Sequence, residues 1–168
     1  MSVQTKHPPV ATAAQASQTM LTLLMGTQKF AISTDLIREI IDPVPFTRVP
    51  GAAAMTPAVL NVRGAIIPLA YLHIPLNLER LERGDRTRII VVQVPQEHGD
   101  VTVGLYADAV LHVGTVAQNR VTKLADTSHN WPADLIAGLF RDDGDFVLIP
   151  DLETIFANQR LRLMASEA

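Results

Sequence analysis

Cysteine is absent from this 168-residue chain, which rules out disulfides, thiolate nucleophiles and cysteine-ligated metals. Aromatic residues are scarce at 5%, so Val, Ile and Leu must fill the core, and that β-branched weighting leans toward strands. Long apolar runs are missing: nothing approaches the roughly 20 residues of a membrane-spanning helix, and the chain does not start with a basic segment followed by an apolar one. A cytoplasmic protein without membrane insertion is expected. The formal charge is −3 and the arginines are scattered, so no basic field gathers a phosphate backbone and nucleic acid is not an expected partner.

Motifs that carry chemistry are equally thin. The five histidines (His7, His73, His98, His112 and His129) include no pair at the i, i+4 spacing of a helical metal site. Ser33 and Ser128 lie outside any Gly-x-Ser-x-Gly elbow, and the glycines fall singly at turns rather than in a phosphate loop. Asp142, Asp143 and Asp145 sit in a loop far shorter than an EF-hand and read as a solvated hairpin. No cofactor and no metal are expected. Asp108, in Tyr106-Ala107-Asp108-Ala109-Val110, is the conspicuous carboxylate: buried, it needs hydrogen-bond partners, and it either ties a turn or serves a histidine in catalysis. The missing nucleophile motif speaks against an esterase-like use.

What is present is a pattern of short strands, in a chain long enough to bury about 70% of its unfolded surface. Residues 1–19 offer scarcely an apolar anchor and predict a disordered tail. Order begins with Met20–Met25, and Lys29–Ser33 follows across a Gly26 turn with Phe30 and Ile32 on one face, a hairpin pattern. Asp35–Ile41 has helical spacing but is short and followed by Pro43 and Pro45, so a single helical turn leading into a strand is expected. Val59–Arg63, Gly64 and the apolar run Ala65–Leu72 come next, and Pro68, lacking an N–H, predicts an edge or bulged strand.

Leu76–Arg86 is a polar connector dividing the first half from a second strand-rich half. There, Ile89–Val94, Val101–Ala107 and Ala109–Val113 read as strands, Arg141–Asp145 as a hairpin turn, and Asp151 as the cap of a final helix reaching Leu161. One internal echo runs from Gly64 through Ile67-Pro68 to Leu72 and again from Gly144 through Ile149-Pro150 to Leu152. It suits two similar small β subdomains better than one continuous sandwich.

Asn61-Val62-Arg63-Gly64 places an amide and a guanidinium on alternate positions of an apolar strand just before a glycine. Such a fork grips a partner's carboxylate or carbonyl, or else pairs internally with an acid such as Glu39. A β-barrel binding a small ligand between its subdomains would use the same pair.

At this motif the chain resembles the CheW family of chemotaxis coupling proteins. The stations are Phe30-Ala31-Ile32, Ile37-Arg38-Glu39-Ile40, Thr47-Arg48-Val49-Pro50, Ala58 to Gly64, Val103 to Val110, Ile136 to Leu139 and Leu148 to Phe156, in order. The resemblance covers residues 20–157 as one domain and leaves 158–168 as the end of the C-terminal helix and a tail. It implies an all-β fold with short helices: two five-stranded SH3-like barrels around a shared core, with no catalytic activity. It further implies that a groove between the barrels takes the cytoplasmic tip of a chemoreceptor, and that other surfaces meet the regulatory domain of a CheA-type histidine kinase. Carried across position by position, the binding candidates are Ile37, Glu39 and Arg63, with Val110 and Val113 on a later strand, while Asn61 and Gly64 shape the turn. The chain departs from the family at Tyr71 and His73, where Asp-Leu-Arg is usual, and at Ala58, where Gly is usual. Those departures bear on partner choice and leave open an accessory member of a pilus-type or other divergent system.

Overall fold

Eleven strands form two sheets in the computed structural model, which describes residues 16–124 and 132–158. The first sheet has five strands: β1 (Ser17–Met25), β2 (Gln28–Ser33), β9 (Ala109–Ala117), β10 (Ile136–Asp142) and β11 (Asp145–Pro150), in the order β10-β11-β2-β1-β9. The second has six: β3 (Ile37–Ile41), β4 (Phe46–Arg48), β5 (Ala58–Val62), β6 (Ala65–Ala70), β7 (Arg88–Val94) and β8 (Val101–Ala107), in the order β3-β7-β8-β6-β5-β4. Two small β subdomains are therefore present, the second extended at its edge by the three-residue β4.

The two sheets are built alike. In each, a hairpin (β10–β11 or β5–β6) lies parallel to a second hairpin (β2–β1 or β8–β7) across a two-residue parallel pairing, and a single crossing strand (β9 or β3) completes the far side. The Gly64 and Gly144 echo marks equivalent places: Arg63-Gly64 and Asp143-Gly144 are two-residue turns with both φ angles positive, 51° and 84° in one and 50° and 82° in the other. Positive φ at both central positions matches the twist of the flanking strands, which is why such turns close tight hairpins.

Sequence order does not map onto the subdomains, and the polar connector Leu76–Arg86 joins β6 to β7 within the six-stranded sheet. The N-terminal hairpin β1–β2 pairs with C-terminal β11 and with β9, whereas β3 leaves to pair with β7. The interleaving follows from how the apolar faces are distributed. Ile90, Val92 and Val94 of β7 join Leu21, Leu23, Phe30, Leu148 and Phe156 in a core shared by both sheets. Ile89 and Val91, on the opposite face, pack with Leu60, Leu69 and Tyr106 inside the six-stranded sheet. A strand buried on both faces reads as the continuous run Ile89–Val92 rather than as an alternation.

Two further expectations are corrected. Ser17–Thr19, assigned to the tail, form the first rungs of β1 against Ala117, Val116 and Thr115, so order starts before Met20. These residues are polar and exposed, and what holds them is the backbone ladder to β9, which composition does not report. Pro68 lies in β6, an interior strand between β5 and β8. Alternation from the Val62–Ala65 turn pair makes Val59–Pro68 a non-hydrogen-bonded pair, and the β8 ladder begins only at Leu69, so no ladder bond needs its missing N–H. The final helix occupies residues 152–158, capped by Asp151 Oδ1 accepting from the Thr154 N–H at 3.1 Å. Its expected extension to Leu161 lies outside the described residues, as do residues 1–15 of the expected tail. No helix among the described residues is long and apolar enough to cross a membrane.

Candidate functional site

Arg63 and Glu39 meet at the tip of the β5–β6 hairpin. Arg63 is a turn residue rather than the strand residue its alternation with Asn61 implied, and its φ of 51° is a conformation that costs a non-glycine residue roughly 1–2 kcal/mol. The turn is closed by Asn61 Oδ1, which accepts from the Gly64 N–H at 3.0 Å. The guanidinium reaches Glu39 on β3, with Nη2 at 3.0 Å and Nε at 3.2 Å from Oε2. The Arg63 side chain is 82% exposed and that of Glu39 25%. A pair so open to solvent contributes about 0–1 kcal/mol to the fold, far less than a buried pair.

Ile37 opens β3 just after the 3-10 turn Thr34–Leu36, whose cap is Ser33 Oγ accepting from the Asp35 N–H at 3.2 Å. It is half-buried against the shared core, and Val110 of β9 packs against the same core. Val113, farther along β9, is 58% exposed. The five positions thus comprise one direct contact, Glu39 with Arg63, two residues on a common core, and one outward valine. An exposed apolar residue that the sequence reading did not single out, Ile66, stands opposite Asn61 in the register and is 65% exposed. The period-two alternation of β6 sets Ile66 on the face opposite buried Ile67 and Leu69.

Asp108 is the single residue between β8 and β9, where the chain passes from one sheet to the other. Its Oδ2 accepts from the Gly26 N–H at 2.6 Å and from His73 Nε2 at 2.7 Å, and its Oδ1 accepts from the Leu81 N–H at 3.2 Å. Its own N–H donates to the Leu24 carbonyl at 2.9 Å. The carboxylate therefore joins the β1–β2 turn, the connector after β6 and the sheet crossing. Glycine is required at position 26: φ is +63°, and a Cβ would stand 2.6 Å from the Glu79 carbonyl oxygen. His73 is buried, and its Nδ1 has no hydrogen-bond partner among the described residues, so the Nε2–H tautomer is the one the network selects. A catalytic dyad needs a nucleophile at that nitrogen. Of the two readings of Asp108, the geometry is that of the tie.

No group of three or more potential metal ligands occurs among the described residues. A family model described as CheW-like domain matches residues 19–160. The chain belongs to the CheW-like family. It is 27% identical over 140 residues to the chemotaxis protein CheW of Rhizobium meliloti (strain 1021), covering 83% of this chain and 88% of that protein. With the chemotaxis protein CheW of Thermotoga maritima the identity is 29% over 136 residues, covering 81% and 85%. Among solved structures, the scaffolding protein TtCheW from Thermoanaerobacter tengcongensis superposes with a TM-score of 0.75 at 18% identity, over 93% of this chain and 94% of that one, a likeness of fold. CheW-like proteins are scaffolds and adaptors, not enzymes, and this chain is one of them. In this CheW-like chain the departure at His73 is an internal one, satisfied by Asp108, and Ala58 is a buried residue of β5 paired with Leu69.

Proposed function

We propose that this CheW-like protein couples the cytoplasmic tip of a chemoreceptor to the regulatory domain of a CheA-type histidine kinase, acting in the cytoplasm and joining receptor arrays by association. The receptor tip engages Ile37, Glu39 and Arg63, with Val110 and Val113 extending the surface, while Asn61 and Gly64 hold the turn that presents Arg63.

The observation that carries this reading is the Arg63 fork. It is held by Glu39 on a strained two-residue turn, it is mostly exposed, and the same hairpin carries exposed Ile66 opposite Asn61. An exposed guanidinium with a fixed orientation and an exposed apolar residue on the same hairpin is the composition of an interface anchor. A small-ligand site at the same pair is less well supported, because that pair lies open at a hairpin tip rather than enclosed in a cavity.

Titration of a receptor-tip helical hairpin, and separately of the kinase regulatory domain, against wild type and Arg63→Ala tests the proposal. The variant should weaken binding of the receptor hairpin by roughly thirtyfold, about 2 kcal/mol. Its stability should fall by no more than about 1 kcal/mol, as for other exposed pairs. Unchanged affinity for both partners would overturn the assignment. A large fall in midpoint would return Arg63 to the scaffold.

A further inference from the structure

The six-stranded sheet curls around its own core, and one end of it is open. Pro43 and Val44 after β3, Phe46 of β4, Tyr71 after β6, Tyr106 of β8 and the connector at Arg80–Arg83 enclose a cavity of about 420 Å³ there. That volume falls in the range of small-molecule sites, roughly 300–1,000 Å³. Tyr71 and Arg63 flank β6 at its two ends, and neither Arg63 nor Glu39 is among the residues lining the cavity.

Both tyrosines of the chain converge here, with ring centroids 5.1 Å apart. The Arg80 guanidinium lies over them, 4.4 Å from the Tyr71 centroid and 5.6 Å from that of Tyr106. Two aromatic faces fix its position, so ordering it costs a ligand little. Yet Arg80 has no carboxylate within ion-pair distance among the described residues, unlike Lys29, Arg63 and Arg88, which have one each. Arg83, also on the lining, donates to the Pro43 carbonyl at 3.4 Å, a long contact. Arg48 adds a third positive charge that bears on Tyr71, against the one acidic lining residue, Glu82. Burial is the largest influence on the Tyr71 phenol and raises its pKa, with Arg80 and Arg48 acting in the opposite direction. The remaining wall is apolar: Val44, Leu69, Ile89 and the 42%-exposed ring of Phe46.

We infer that this barrel mouth binds a small aromatic carboxylate, its acid group on the Arg80 guanidinium and its ring against Phe46 and Val44. A guanidinium held over two rings, hydrogen-bonded to the Tyr71 hydroxyl and without a carboxylate partner among the described residues, calls for a planar two-oxygen anion, which it holds bidentately. An apolar wall of this size calls for a ring rather than a hydrated ion. The site is separate from the surface proposed for the receptor tip.

Titration of the isotopically labelled full chain with phenylacetate, phenylacetamide and acetate at constant ionic strength, followed by NMR, tests the assignment. Phenylacetate should move the Arg80 side-chain resonance together with those of Tyr71, Tyr106 and Phe46, saturably below about 10 mM, an affinity a small ring acid can reach. Phenylacetamide and acetate should each bind at least roughly tenfold more weakly, and Arg80→Gln should weaken phenylacetate by a similar factor. Arg80→Lys, which retains the charge over the rings, should fall between and guards against a folding defect in the glutamine variant. Equal binding of the amide, equal binding of acetate, an unaffected Arg80→Gln variant, or no saturable shift would overturn the inference. So would an acidic peptide that binds there while phenylacetate does not, since the mouth would then be a protein contact.

Discussion

In an Asp108→Ala variant three donors lose their acceptor at once: the Gly26 N–H, His73 Nε2–H and the Leu81 N–H. The first two bonds are buried, and a stranded buried donor costs about 1–3 kcal/mol, toward the upper part of that range when the lost acceptor was charged. Leu81 lies near the surface and its N–H can turn to water, so its share is smaller. The sum is about 3–5 kcal/mol, roughly a fifth or more of the 5–15 kcal/mol by which a domain is stable. Urea denaturation followed by circular dichroism reads this directly. With a slope near 2 kcal/mol per molar, the midpoint should fall by roughly 2 M. A His73→Leu, Asp108→Ala double variant should lose less than the two singles added together, because one of the stranded donors is gone; the shortfall should be about 1–2 kcal/mol. A loss below about 1 kcal/mol in Asp108→Ala, or strict additivity in the cycle, would refute the view that this carboxylate ties the sheet crossing to the two loops.

Gly104→Ala should cost about 1–3 kcal/mol, because an added Cβ would stand 2.9 Å from Ile89 Cγ2 and 3.0 Å from Leu60 Cδ1 inside the six-stranded sheet; chemical denaturation checks it. Truncation through Thr19 should lower the midpoint relative to truncation at residue 15, since it removes the Ser17, Gln18 and Thr19 rungs to β9. Equal midpoints would mean that those rungs hold nothing. Tyr71 should ionise above its ordinary value near 10, because burial disfavours the phenolate more than Arg80 favours it. A native-state pKa raised above the unfolded one leaves its stability contribution whole below pH about 10 and removes it as pH rises further, so alkaline denaturation should be shallower in Tyr71→Phe. Ultraviolet titration of the phenolate band gives the ionisation itself.

Local pattern carried much of the fold. The alternation in Lys29–Ser33, the glycines at 64 and 144 and the apolar run Val101–Ala107 each report how a segment relates to its own neighbours, and all three are strands or turns as their patterns imply. The family stations around Asn61 to Gly64 likewise belong to contiguous residues. Pairing between distant segments is another matter. The β2–β11 contact joins residues 116 and more apart, as Lys29 with Asp145 shows, and Asp108 reaches Gly26 across 82 residues.

Whether Pro68 sits at an edge, whether Arg63 belongs to a strand or a turn, and whether Asp108 serves catalysis or a joint were all undetermined by the residues nearby. Each depends on which chain segment arrives on the other side. Residues close along the chain were enough for most strands, for the glycine turns at 64 and 144 and for the family. Packing of the whole chain is what interleaves the two halves, makes His73 the partner of Asp108 and sets Arg80 over two tyrosines without a carboxylate partner among the described residues. The physical reason is range: periodicity and turn chemistry act over a few residues, whereas burial and hydrogen-bond satisfaction are settled by packing the whole chain at once.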